Sequence, residues 1–195
     1  YVYDTTDSTV RPVYSTDKSF MKIMILSDSH SMTKQTLLNF INQHPADYYI
    51  HCGDIYMPYS PLEIDNFYNV RGNNDFADIP KDLTLTIDGL NFFICHGHLF
   101  HIDESMYDLE QYALNHKIDV VCFGHSHNPT CYKKENTLFI NPGSVTFPRG
   151  NYPHPTYCIF DTENHEVQFY DLKENQPCNP FEVKKKESFF KRFFK

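Results

Sequence analysis

Seven side chains of metal-ligating type fall into five short polar blocks of this chain. Asp28 and His30 stand in Ser27-Asp28-Ser29-His30, Asp54 follows Gly53, and Asn73 lies in Arg71-Gly72-Asn73-Asn74-Asp75. His96 opens His96-Gly97-His98, and His125 and His127 stand in Gly124-His125-Ser126-His127. One residue separates Asp28 from His30 and His125 from His127. In extended backbone that spacing sends both side chains of a pair to the same side. The donors are carboxylate, amide and imidazole, with no cysteine among them. Such a set suits Mn, Fe, Zn, Co or Ni and disfavours a closed structural zinc site. Seven donors are too many for one ion that keeps a position open, and they fit two divalent ions sharing a bridging carboxylate. Singly the blocks say little, because Gly-Asp and Gly-Asn are turn sequences and Asp28 could cap a helix.

What precedes each block makes the set coherent. The apolar runs Ile23–Leu26, Tyr48–Cys52, Phe67–Val70, Phe92–Cys95 and Val120–Phe123 read as strands, and each runs straight into one of the blocks. Ligands of open α/β sheets bind outside the carboxyl ends of strands. Five such strands therefore deliver the donors to one edge. Lys34–Gln43 places Leu37, Leu38 and Ile41 on one helical face with Thr33 as N-cap, and Asp103–His116 repeats the pattern through Met106, Leu109, Ala113 and Leu114. Beyond Thr130 the chain turns to short strands, Cys131–Lys134, Leu138–Ile140, Thr156–Phe160 and Val167–Leu172. Turn clusters, Asn141-Pro142-Gly143-Ser144 and Pro148-Arg149-Gly150, interrupt them. The expected class is α/β, with two mixed β-sheets packed as a sandwich and flanked by helices.

Composition bounds the rest. The chain has 195 residues, 41% apolar and 22% charged, which is globular rather than disordered. Residues 1–20 read as a polar extension, 21–173 as the single domain, and 174–195 as a basic, Phe-rich tail. No apolar run approaches the roughly 18 residues of a membrane span. Neither a basic leader nor an apolar signal core is visible at the start, and the six cysteines form no C-x-x-C pair. Reduced thiols in a cytoplasmic protein are expected. The net charge of −8 is uneven: residues 184–195 carry six basic groups against one acidic, and the remainder is strongly acidic. An acidic body argues against stable binding of duplex nucleic acid. Phe189, Phe190, Phe193 and Phe194 recur at helical spacing among the tail's lysines. A basic amphipathic helix of this kind can lie on an anionic membrane, although docking on the acidic body or on a partner subunit, or simple disorder, is the favoured expectation. Further copies of the chain are another expected partner.

The order D-x-H, G-D, G-N-x-D, H-G-H, G-H-x-H resembles the calcineurin-like metallophosphoesterase superfamily. The compact size, the H-G-H block and Phe139-Ile140-Asn141-Pro142-Gly143-Ser144-Val145 are similar to its small YfcE-type phosphodiesterase branch. The resemblance covers about Met21 to Leu172 and leaves out both ends. It implies the metallophosphoesterase fold and two divalent ions, Mn2+ first among the candidates. One ion would be held by Asp28, His30 and His127, the other by Asn73, His96 and His125, with Asp54 bridging. Two ions about 3.5–4 Å apart would supply a bridging hydroxide and polarise the phosphoryl oxygens for in-line attack. The implied activity is hydrolysis of small or nucleotide-like phosphodiesters. A phosphomonoesterase on the same centre is an alternative, as is a non-catalytic scaffold of the same fold, which the intact ligand set disfavours.

Outer residues complete the expectation. Asp75 is a candidate to accept a hydrogen bond from a ligand imidazole, and His98 to contact phosphate or donate a proton. Arg71 reads as a surface residue, His51 as a core or surface histidine, and Cys52, Cys95 and Cys122 as small buried apolar groups. The Asn141–Ser144 turn should pack beside the metal loops, with Gly143 allowing tight backbone geometry. One departure is Asn74, where larger members of the superfamily carry a histidine able to protonate the leaving oxygen. An amide cannot do so near neutral pH. The short Asp54–Gly72 segment, with Pro58 and Pro61, leaves little room for a crossover helix and implies an open site.

Overall fold

The first strand, β1 (Lys22–Leu26), is apolar on both faces because it is buried on both. Ile23 and Ile25 point into the gap between two sheets, and Met24 and Leu26 point to the opposite side. Helix α1 (Lys34–Gln43) covers that outer side with Leu37 and Ile41. Thr33 caps the helix, its hydroxyl accepting the Thr36 N–H at 3.1 Å, so the expected start and end both hold. The computed structural model describes residues 20–56, 62–76 and 78–182.

β2 (Tyr48–His51) and β3 (Phe67–Asn69) continue the sheet in parallel from β1. β9 (Thr156–Asp161), β10 (Val167–Asp171) and β11 (Gln176–Cys178) extend it antiparallel on the other side, in the order β11-β10-β9-β1-β2-β3. The second sheet contains β4 (Asp82–Ile87), β5 (Leu90–Cys95), β6 (Val120–Cys122), β7 (Thr130–Lys134) and β8 (Thr137–Asn141). Its order is β4-β5-β6-β8-β7, with β5, β6 and β8 parallel. Phe92, Ile94, Val120, Cys122 and Ile140 meet Ile23, Ile25, Ile50, Cys158 and Phe160 between the sheets. Helix α2 (Tyr107–Asn115) seals the outer face of the second sheet, Leu109 and Ala113 packing on Phe93, Val121 and Phe139. The two mixed sheets with flanking helices are the sandwich expected from the sequence.

Three departures from the expected elements exceed a residue or two. α2 begins at Tyr107 rather than Asp103, because left-handed residues at Gly97 and His101 (φ 108° and 53°) confine the preceding stretch to a 3-10 turn, His98–Phe100. β4 was not anticipated, although Leu83, Leu85 and Ile87 alternate with polar residues as a half-buried edge strand should. β11 pairs with β10 through Phe169–Cys178 and Asp171–Gln176, so the sheet continues past the boundary drawn at 173. The extension expected at 1–20 (apart from Phe20), the Pro58–Pro61 stretch and the Lys184–Lys195 tail lie outside the described residues. Among the described residues no helix is long and apolar enough to cross a membrane.

Parallel pairing at the middle of both sheets brings the carboxyl ends of β1, β2, β3, β5 and β6 to one edge of the sandwich. Hydrogen bonds stitch that edge across the seam. The His125 N–H donates to Asp28 Oδ2 at 3.1 Å, and the Val145 N–H to the Ser27 carbonyl at 3.2 Å.

Candidate metal centre

The loop after β1 carries Asp28 and His30 and lies against the loop after β2. Asp28 N–H donates to the Gly53 carbonyl at 3.0 Å and His30 N–H to the Asp54 carbonyl at 3.1 Å. Extended backbone does not orient the D-x-H and H-x-H pairs, as the spacing alone suggested. Asp28, His30, Asp54, His125 and His127 have φ of 54°, 29°, 53°, 68° and 59°, all left-handed. Side-chain hydroxyls and amides hold these curled loops. Ser144 Oγ donates to the Asp28 carbonyl at 2.8 Å and Thr146 Oγ1 to the Ser29 carbonyl at 2.8 Å. Asn141 Nδ2 donates to the Gly124 carbonyl at 2.8 Å and to Ser126 Oγ at 3.0 Å. The Asn141–Thr146 stretch thus laces both metal-type loops. Gly143 allows it at φ 79°, where a Cβ would sit 2.3 Å from Thr156 Oγ1.

Two groups of donors converge. Ligand atoms of Asp28, His30 and His127 lie within 4.8 Å of one another, and so do those of Asp28, Asp54 and His96. His127 donates Nδ1–H to the Phe147 carbonyl at 2.8 Å, which leaves the Nε2 lone pair of the neutral ring facing His30 Nε2 at 3.1 Å and Asp28 Oδ1 at 3.2 Å. His96 donates Nδ1–H to the Cys52 carbonyl at 2.7 Å, which leaves its Nε2 facing Asn73 Oδ1 at 3.0 Å and Asp54 Oδ2 at 3.4 Å. Asn73 Oδ1 also lies 3.1 Å from His125 Nδ1. Asp54 Oδ2 stands between the groups, 3.6 Å from His30 Nε2 and 3.4 Å from His96 Nε2. Five of the expected donors fall in these two groups, and the other two, Asn73 and His125, adjoin the second group through His96. Asp28 Oδ1 is buried without a hydrogen-bond partner, which is costly for a carboxylate oxygen unless a cation completes it. The residues fit two divalent ions.

Electrostatics agree with the geometry. Burial opposes ionisation of Asp28, but the proximity of His127 and His96 and the bond from the Ser27 hydroxyl outweigh it and hold the carboxyl below its ordinary value. Burial likewise disfavours charge on His96 and His127, yet Asp54 and Asp28 raise the first and Asp28 raises the second. His30 is lowered, mainly by burial. A pocket that holds protons this way attracts cations, with which those protons compete.

Outer residues take roles the sequence did not assign. Asp75 hydrogen-bonds three backbone N–H groups rather than an imidazole. Oδ2 accepts from Asp54 at 2.9 Å and Gly72 at 2.8 Å, and Oδ1 accepts from Tyr56 at 2.8 Å. Asn74 grips both oxygens of Asp54, through its backbone N–H and its Nδ2, each at 2.8 Å. His51 is fully buried behind the site. Its Nδ1 accepts the Gly53 N–H at 3.2 Å, so the neutral ring carries hydrogen on Nε2 and donates to Ser29 Oγ at 2.9 Å. Desolvation lowers the His51 pKa to about 4. His98 stacks edge-on to His96, with ring centroids 5.3 Å apart, and its pKa is lowered by burial and by His96 and His125. Arg71 is exposed, as expected. Asp103 was missed: its Oδ2 lies 2.6 Å from His125 Nε2. No spacing rule ties it to His125, because it comes from the turn after a different strand.

Residues 21–165 match the calcineurin-like phosphoesterase superfamily domain. The chain is 35% identical over 161 residues to a probable metallophosphoesterase, YsnB of Bacillus subtilis, covering 80% of this chain and 94% of that one. It is 31% identical over 170 residues to phosphodiesterase MJ0936 of Methanocaldococcus jannaschii, covering 76% and 97%. Among solved structures, a conserved protein of Streptococcus pneumoniae described as a predicted phosphoesterase superposes with a TM-score of 0.75 at 26% identity, covering 82% and 94%. With the donor set and the sandwich already in place, these matches show that the chain belongs to the calcineurin-like phosphoesterase superfamily.

Proposed function

We propose that this chain is a metal-dependent phosphodiesterase acting on small or nucleotide-like phosphodiesters. In this reading Asp28, His30 and His127 hold one ion, Asn73, His96 and His125 hold the other, and Asp54 lies between them. The observation that carries it is the convergence of Asp28, Asp54, His30, His96 and His127 on one pocket around a buried, partnerless Asp28 Oδ1. The chemistry that two divalent ions would supply there, Mn2+ being the first to try, is an activated water and polarisation of the phosphoryl oxygens. The chain's own residues do the holding. Asn74 and Asp75 fix Asp54 and its loop, and the Phe147 and Cys52 carbonyls fix the tautomers of His127 and His96. His98, kept neutral at the mouth, offers a hydrogen bond to a phosphoryl oxygen. The relative from Methanocaldococcus, a phosphodiesterase by name, supports the diester class. The six cysteines, all free thiols, support the cytoplasmic location.

The test is metal content together with turnover of an aryl phosphodiester, the matching monoester and a cyclic nucleotide. Asp54→Gly keeps the left-handed backbone while removing the carboxylate. It should lose bound metal and diester turnover together. Diester hydrolysis that survives chelation, or a variant that retains both ions and full rate, refutes the proposal. A monoester preferred over the diester moves the substrate class and leaves the metal chemistry.

A further inference from the structure

We propose that Asp103 is a positioning residue that fixes the tautomer of His125 and sets a carboxylate one hydrogen bond behind this neutral donor of the second ion. The proposal rests on the two-ion reading above. Asp103 Oδ2 lies 2.6 Å from His125 Nε2, while His125 Nδ1 faces Asn73 Oδ1 at 3.1 Å. A carboxylate only accepts, so Nε2 carries the hydrogen and Nδ1 keeps its lone pair toward the pocket.

The charge argument separates the two groups of donors. Asp28 Oδ1 lies 3.2 Å from His127 Nε2 and 3.8 Å from His96 Nε2, so it leans toward the first group while reaching the second. The donors that belong to the second group alone, Asn73 and His125, are an amide and an imidazole, both formally neutral. Asp103 places an anion one hydrogen bond behind that group.

The fold holds Asp103 there. The turn after His96 runs through Gly97 at φ 108° and His101 at φ 53°, with the Glu104 N–H closing on the His101 carbonyl at 2.9 Å. Ile102 sits beneath Gly97, where a Cβ would lie 2.6 Å from Ile102 Cδ1, and it packs into the cluster under α2. Its neighbour Asp103 is therefore presented from a packed turn. The exit of β5 thus contributes one ligand, His96, and steadies another that arrives from β6.

The experiment is titration of the metal-free full-length protein with Mn2+ alone, followed by electron paramagnetic resonance of the unbound ion, in wild type, Asp103→Ala and Asp103→Asn. Wild type should bind two ions. Asp103→Ala should weaken one step by about 10–100-fold and leave the other unchanged. Asp103→Asn keeps an acceptor oxygen but not the charge, and should fall between. Nitrogen-15 shifts of the wild-type histidines give a readout that needs no variant, and His125 should carry its hydrogen on Nε2. Two unchanged steps in Asp103→Ala, or a hydrogen on Nδ1 of His125 in wild type, overturn the role of Asp103 alone. Fewer than two ions bound by wild type overturns it together with the two-ion reading.

Discussion

Replacing Asp75 by alanine removes the acceptor of three backbone N–H groups, of which those of Asp54 and Gly72 are buried. A hydrogen bond to a charged group contributes about 1.5–3 kcal/mol, and a buried donor left alone costs about 1–3 kcal/mol. The two buried donors together therefore represent about 3–6 kcal/mol. The Tyr56 N–H is only partly buried and can turn to water at little cost. Water entering the vacated space offsets part of the loss, so about 3 kcal/mol should remain. Against a typical total of about 5–15 kcal/mol this is a large fraction. Urea unfolding of the metal-free proteins reads it directly. Metal content should fall as well, because Asp54 and Gly72 lose their shared anchor. Asp75→Asn, which keeps one acceptor oxygen but turns an NH2 toward a donor, should lose about half as much. An Asp75→Ala protein within about 0.5 kcal/mol of wild type that binds both ions would refute this account of Asp75.

Four further outcomes are expected. Gly72→Ala should lose metal and turnover with its sheets intact by circular dichroism, since a Cβ there would lie 2.0 Å from Asp54 Oδ1 and 2.3 Å from Asp54 N. Lowering the pH should weaken metal binding from above neutral imidazole behaviour downward, because the pKa values of His96 and His127 are raised and the ions must displace their protons; calorimetric affinities across pH check it. Stability of the metal-free protein should also decline between pH 6.5 and about 4, because His51 binds its proton more weakly folded than unfolded. That contribution is about 3 kcal/mol at most, and denaturation of His51→Gln, which lacks this slope, isolates it. Asn74→His gives up the Nδ2 bond to Asp54 Oδ2 and should lose part of the bound metal, but at saturating metal it should narrow the gap between alkyl and aryl diester turnover by supplying a proton to the leaving oxygen, an effect worth about 10²–10⁴-fold for a well-placed acid; an unchanged ratio would mean that position 74 does not face the leaving group.

The sequence made some parts of this molecule legible and others not, for identifiable reasons. β1, β2, β5 and β6 announce themselves because strands buried on both faces are continuous apolar runs. Thr33 marks α1 because a capping hydroxyl is a local signal. The donors stood out because five such runs each lead straight into aspartate, asparagine or histidine, residues that singly would read as turns or caps. Asp103 and Thr146 were invisible, since their partners, His125 and Ser29, are distant in the chain and only the packing of the two sheets brings them together. The role of Asp75 was misjudged because a carboxylate two residues from Asn73 can serve either a ring or a backbone, and only the curled loop decides. β11 was hidden by Pro177, which sits at an edge where a missing N–H matters least.

The left-handed backbone at Asp28, His30, Asp54, His125 and His127 has a consequence for how an ion is captured. For residues other than glycine this conformation costs about 1–2 kcal/mol each, less for aspartate and histidine, whose side chains tolerate it better. Together the five store on the order of a few kcal/mol. Folding of the sandwich settles that cost before any metal arrives. An incoming ion therefore meets donors already aimed, and its binding energy is not consumed in bending loops. The same arithmetic means that a peptide carrying Asp28-Ser29-His30 or His125-Ser126-His127 alone would relax to ordinary backbone and scatter its donors. Affinity in this protein is a property of the frame, lent to the motif.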